Sequence, residues 1–488
     1  MSQNRPEVPL QTPWLSRPLI TLAALVIAFA ATGPARGQPP RAAGSLPEPV
    51  SQALKAANVP VGAVGVSVVP LSGAGLALAV NEQQPMNPAS TMKLVTTLAG
   101  LELLGPQYAW RTEALATAPV ANATLEGDLY LRGDGDPQLV IEHFWLLVQQ
   151  LRGVGIRDIR GDLVLDRSAF EAVNHDAAAF DGESLRPYNA GPDALLLNYK
   201  SVSFHFVPDV DPKQVRVYAV PQLAGMTVPT TIRAIEGPCN DWRARLGGDF
   251  SDPMRPQFRG AFPRSCGDRV WHVSLLNHTQ YVEGVFRALW TASGGSWRGR
   301  ARDGQAPADA RRLAQHESES LAEVIRDINK YSNNVMARQL FLTIGGETTK
   351  QPASAERSQR VIGDWLVGKG LERREFVLEN GAGLSRVERL TPAGLSRLLA
   401  LVFASPLMPE FVSSLPLVGV DGTMRKRFGA AGSAHIKTGL LADTRAVAGF
   451  VLAASGRRYA VVAFVNHPNA GATQGVFDDL LNWVYVNG

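Results

Sequence analysis

Pro88-Ala89-Ser90-Thr91-Met92-Lys93, continuing into Leu94 to Leu104, is the stretch from which the rest of the chain can be read. Leu94, Val95, Leu98, Leu101 and Leu104 recur at helical spacing, so a helix with one apolar face starts here. Asn87 to Ser90 is the loop that feeds it. Ser90 then sits at a helix N-terminus, where unpaired N–H groups and the dipole favour negative charge. Lys93 follows three residues on and projects from the same face. A hydroxyl beside an amine at such a place is an activated-nucleophile pattern. Taken alone, Ser90-x-x-Lys93 also fits an N-cap serine followed by a surface lysine.

The whole chain sets the context. Its 488 residues are too many for one ordinary core and imply two or three domains. A composition of 45% hydrophobic and 19% charged residues is globular. A formal charge of only +4, without a basic stripe, gives no nucleic-acid signature. Residues 1–37 read as a secretory signal: Arg5 and Arg17, an apolar run from Leu19 to Ala31, then Ala35-Arg36-Gly37 as the cleavage site. A retained anchor is the alternative, although the run is short for a membrane span. In an exported chain the two cysteines, Cys239 and Cys266, are expected to form one disulfide. No Cys/His cluster has metal-ligand spacing, so neither a metal nor a cofactor is expected.

Along the chain, Pro47 to Ala57 reads as a helix, and Val61 to Val69 and Gly75 to Val80 as strands. From Gln107 to Ala310 short β-like runs dominate, among them Leu125 to Arg132, Asp162 to Asp166 and Gln214 to Val220, before a helix at Tyr281 to Ala292. Helices return near Ser320, at Asn334 to Ile344, at Ser358 to Val367 and after Thr391-Pro392. Three strands and a terminal helix close the chain: Ala434 to Thr438, Ala446 to Leu452, Tyr459 to Val465 and Val476 to Val486. Strands at the two ends most simply form one antiparallel sheet flanked by helices, with the β-rich block inserted.

Two further motifs change the weight of the first. Ser332-Asn333-Asn334 lies at a junction between helices, and Lys437-Thr438-Gly439 lies on a strand. Gly439 lets a ligand approach the backbone. S-x-x-K, S-D-N and K-T-G in this order form the set of penicillin-binding proteins and β-lactamases, and the middle motif here keeps the outer two residues. With 242 residues between Ser90 and Ser332, the chain resembles the low-molecular-mass class C penicillin-binding proteins, D-alanyl-D-alanine carboxypeptidase/endopeptidases of the penicillin-binding protein 4 type. Gly133-Asp134-Gly135-Asp136-Pro137, Glu379 to Arg386, and Ser414 to Thr423 add local matches. Asn333, and Leu440 where threonine is common, are departures.

The resemblance implies an α+β multidomain protein. A penicillin-recognising serine transpeptidase/β-lactamase-like domain would be formed by residues 45–106 and 311–488. Inserted domain II would take 107–203 and 273–310, and inserted domain III 204–272. Ser90 would be the nucleophile and Lys93 its base. Ser332 with Lys437 would protonate the leaving amine, while Asn334 holds the peptide and Lys93. Lys437, Thr438 and Gly439 would bind the terminal carboxylate. The N–H groups of Ser90 and Leu440 would stabilise the oxyanion. Glu183, in the acidic turn Asp181-Gly182-Glu183 near Tyr188, would contact the amine end of the stem peptide. Asp421 and Arg386 read as loop-fixing residues. The expected activity is a periplasmic serine D-Ala-D-Ala carboxypeptidase, DD-endopeptidase or both, acylated by β-lactams. A β-lactamase, or a non-catalytic cell-wall scaffold, is the alternative.

Overall fold

The strand runs Val64–Pro70 and Arg458–Asn466 are almost continuously apolar, which fits strands covered on both faces. In the computed structural model, which describes residues 44–488, they pair antiparallel at the centre of a five-stranded sheet. The strand order is Leu78–Val80, Val64–Pro70, Arg458–Asn466, Thr444–Leu452, Ala434–Leu440, with every neighbour antiparallel. Successive residues face opposite layers. Ala460, Val462 and Phe464 pack against Leu98, Ile325, Leu340 and Leu398 of the larger helical layer. Val461, Ala463 and Val465 pack against Val50 and Leu54 of helix Glu48–Ala56 and Leu480 and Val484 of helix Gln474–Asn487. The secretory signal read at 1–37 lies outside the described residues. None of the described helices is long and apolar enough to cross a membrane.

Between the first and last strands of this sheet the chain builds two more five-stranded sheets around one shared core. One is mixed, in the order Ala301–Asp303, Leu163–Asp166, Leu129–Gly133, Arg111–Ala116, Arg311–Glu317. Its parallel pair Leu129–Gly133 and Leu163–Asp166 needs a crossover, supplied by helix Ile141–Gly153. Reading this block as β-rich overlooks that helix, although Phe144, Leu147, Val148 and Leu151 are its buried face at helical spacing. Strand Arg311–Glu317 is the last strand of this sheet. Its pairing with Arg111–Ala116 ties it to this sheet rather than to the terminal one. The other sheet, Phe262–Pro263, Thr231–Ile235, Gln214–Val220, Val202–Pro208 and Arg269–Val273, lies near the bonded pair Cys239 and Cys266.

Candidate active site

Ser90 sits in the 3-10 turn Ala89–Thr91, which runs directly into helix Met92–Leu103. Its backbone N–H therefore belongs to the donors that a helix start leaves unpaired. One turn on, Lys93 is completely buried. Its Nζ lies 3.0 Å from Ser90 Oγ, 2.6 Å from Asn334 Oδ1 and 2.5 Å from the Ala382 carbonyl oxygen. A neutral amine has two N–H donors and one lone pair. Asn334 and Ala382 offer pure acceptors, so a neutral Lys93 donates to both and turns its lone pair to the Ser90 hydroxyl. Burial pushes the Lys93 pKa well below the ordinary lysine value. The charge of Lys437 and, more weakly, that of Arg338 push the same way, while Glu388 pulls it up.

The second motif follows the same local logic. Helix Leu321–Lys330 ends, and helix Asn334–Thr349 begins at once. Ser332 makes the sharp corner in a left-handed conformation, φ +57°. Asn333 is the N-cap of the second helix, its Oδ1 accepting from the N–H of Val335 and Met336 at 3.1 Å each. That capping bond needs an uncharged or charged Asx oxygen equally, so asparagine serves here in the middle of the motif. Ser332 Oγ accepts from Lys437 Nζ at 2.8 Å.

Lys437, Thr438 and Gly439 lie on the edge strand Ala434–Leu440, beside the Ser90 turn. A Cβ on Gly439 would stand 3.0 Å from Ser90 N and 2.8 Å from the Pro88 carbonyl oxygen, so only glycine allows this approach. Lys437 is completely buried, and burial lowers its pKa to about 7. Thr438 Oγ1 lies 2.9 Å from Thr423 Oγ1. Ser90, Ser332, Asn334, Thr438, Gly439 and Leu440 share one cleft of about 990 Å³. Glu183 does not line it: its carboxylate pairs with Arg186 at 3.2 Å. Its neighbours Asp181 and Tyr188 do line it, joined by a 2.9 Å hydrogen bond. Arg386 also reaches the cleft, 4.7 Å over the Phe180 ring, whereas Asp421 fixes a loop through Lys330 at 2.5 Å.

The geometry joins three motifs that sequence order keeps apart, and the sequence comparison agrees with it. Residues 46–482 match the D-Ala-D-Ala carboxypeptidase 3 (S13) family. The chain belongs to that family. Membership makes it a serine-type peptidase acting on peptidoglycan. It is 25% identical to the D-alanyl-D-alanine carboxypeptidase DacB of Haemophilus influenzae, over 79% of this chain and 81% of that protein. It is 28% identical to the D-alanyl-D-alanine carboxypeptidase of Actinomadura sp., over 79% of this chain and 74% of that one. The fold is similar to that of penicillin binding protein 4 from Haemophilus influenzae, with a TM-score of 0.75, 24% identity, and coverage of 90% of this chain and 99% of the other. The two share an α+β architecture.

Beyond the three motifs, the site of this S13 member includes parts that reading its sequence misses. Glu388 is completely buried, and burial raises its pKa. Its Oε1 accepts from the backbone N–H of Glu379, Asn380 and Gly381 at 3.2, 3.0 and 2.9 Å. Thr96 Oγ1 donates to the Gly381 carbonyl at 2.6 Å. These bonds fix the loop whose next carbonyl, that of Ala382, receives the Lys93 amine. Gly383 follows with φ +75°, where a Cβ would fall 1.8 Å from the Ala89 carbonyl oxygen. The matched run Glu379 to Arg386 thus holds the Lys93 amine through its backbone.

Proposed function

We propose that this enzyme is an exported D-Ala-D-Ala carboxypeptidase that also opens DD-cross-links, working through an acyl-enzyme on Ser90. The observation that carries the reading is the single buried amine of Lys93, which touches Ser90 Oγ and two fixed acceptors at once. Neutral Lys93 takes the Ser90 proton as Oγ attacks the carbonyl between two D-alanines. The developing oxyanion is met by the N–H groups of Ser90 and Leu440. Ser332, fed by Lys437, delivers a proton to the leaving amine. The terminal carboxylate lies against Lys437, Thr438 and Thr423. Water then frees the enzyme by hydrolysing the ester. A β-lactam enters the same path and is held as a slowly hydrolysed ester.

In this reading residues 45–106 and 311–488 make the catalytic domain, apart from strand Arg311–Glu317, which goes with the insertion. Residues 107–203 and 273–310 make domain II, and 204–272 domain III. The turn at Asp181 to Glu183 brings domain II to the cleft, with Asp181 rather than Glu183 facing the amine end of the stem peptide. The periplasm is the compartment, reached through the signal at 1–37. The proposed partners are peptidoglycan stem peptides and β-lactams. The test is labelling with fluorescent penicillin together with mass analysis of digested muropeptides. Ser90→Ala should lose both the label and all products. Ser332→Ala should keep the label at a rate lowered by about 10²–10⁴-fold, the usual contribution of a general acid. An adduct on Ser332, or undiminished labelling of Ser90→Ala, overturns the mechanism.

A further inference from the structure

Next to the catalytic cleft lies a second cavity of about 370 Å³, within the range of about 300–1,000 Å³ common for ligand pockets. Phe180, Leu384 and Arg386 line both spaces, so the loop carrying Leu384 is the partition between them. The second cavity contains none of the three motifs. Its walls are largely apolar, with Phe341, Leu342 and Pro192 added to Phe180 and Leu384.

Four charged groups interrupt this lining, Arg338, Arg386, Asp176 and Glu379, and of these only Arg338 is buried. Arg338 is 8% exposed, and its Nη1 is sealed from solvent without a hydrogen-bond partner among the described residues. Glu379 and Glu388 act on it only through space, since neither carboxylate forms an ion pair with it. A buried charge without a partner is strongly unfavourable, and a carboxylate bound against the part of the guanidinium that lines the cavity relieves it, Nη1 itself being sealed. At the rim the sign reverses: Asp176 and Glu379, both exposed, line the cavity. A purely anionic ligand meets repulsion there, while a ligand with an amine at that end does not.

We infer that this cavity is a second binding site, taking an apolar α-amino acid as a zwitterion, its carboxylate on Arg338 and its ammonium toward Asp176 and Glu379. A small aliphatic side chain fills the apolar walls. D-Alanine has this chemistry. That it is the natural occupant rests on the peptidase reading, because the proposed carboxypeptidase releases it; that the cavity takes such an ion does not.

Calorimetric titration of the full chain needs no turnover, so its result stands apart from the peptidase reading. D-Alanine should bind saturably, D-alanine methyl ester should not bind, and N-acetyl-D-alanine should bind more weakly. Arg338→Met removes the buried cation and Ala355→Trp narrows the exposed rim; each should weaken D-alanine binding by about tenfold or more, the scale of a lost hydrogen bond to a charged group. Melting curves check that both variants fold. Thr438→Ala, which alters only the catalytic cleft, should leave this affinity in place. Loss of binding in Thr438→Ala would put the amino acid in the cleft and overturn the inference. No saturable binding, or unchanged affinity in both cavity variants, would overturn it as well.

Discussion

At the scale of single residues, the proposed mechanism depends on the protonation state of one amine. The Lys93 pKa is lowered chiefly by burial, so the neutral base accumulates as pH rises, and acylation should rise with pH along the limb that Lys93 sets. Lys93→Arg keeps the charge and cannot shed its proton in this range. Its acylation rate should fall by about 10²-fold or more, and near-normal labelling would remove Lys93 from the role. Glu388 gives a second test. Its negative charge favours the ammonium form of Lys93, so removing it lowers the Lys93 pKa further. Glu388→Gln keeps the oxygen that accepts from the backbone, and should move the acid limb of the acylation profile to lower pH. A merely structural Glu388 would leave that limb where it is. Ser90, Lys93, Ser332, Asn334 and Lys437 can be picked out from sequence because they stand in short motifs, and the fold brings them within hydrogen-bond distance. Glu388 stands in no motif, and although Ala382 lies in the matched run Glu379 to Arg386, its part is hidden because its backbone carbonyl meets an amine 289 residues earlier in the chain.

At the scale of elements, patterning gives most of the helices through their period and the terminal strands through their apolar runs, but passes over helix Ile141–Gly153. Strand Gln214–Val220 alternates buried and exposed along its first five residues, and helix Leu321–Lys330 shows a clear apolar stripe. The rest of the insertion is harder to read. Its strands Val120–Ala121, Thr124–Leu125 and Asp158–Ile159 are two residues long, too short for any period to show. Strand Arg311–Glu317 reads RRLAQHE, and only its pairing with Arg111–Ala116 identifies it as a strand. The cysteine pair belongs to this region as well. Closing a loop of about 28 residues contributes roughly 3–4 kcal/mol in the chain-entropy model. Free-thiol titration of the unreduced, denatured protein should find none. The double substitution Cys239→Ser with Cys266→Ser should lower the melting temperature and leave penicillin labelling of folded protein intact, since neither cysteine lines the cleft. Loss of labelling in protein that is still folded would show that the insertion's rigidity sets the geometry of the site.

At the scale of the whole molecule, the insertion is fastened to the helix that carries Asn334. Gln339, fully buried on that helix, donates to the carbonyls of Gly135 and Asp193 at 3.0 and 2.8 Å and accepts from Asp193 N at 2.9 Å. Trp110 Nε1 donates to Thr343 Oγ1 of the same helix at 3.0 Å. The cleft is therefore built by parts of the chain that sequence order keeps far apart, and only the motif set connected them in advance. The central sheet carries this furthest, because its register sets Val64 opposite Val465. A ribosome delivers the first of these long before the second. Until the closing strands emerge, strand Val64–Pro70 has only the short strand Leu78–Val80 beside it, and the Ser90 turn has no Lys437. Such late, long-range closure is slow and leaves an apolar edge waiting for its partner. A chain ended after Arg457 should accumulate as aggregate and take up no penicillin label, even though Ser90, Lys93, Ser332, Asn334 and Lys437 are all present in it. Recovery of labelled, soluble protein from that truncation would show that the nascent enzyme matures before its last strand arrives.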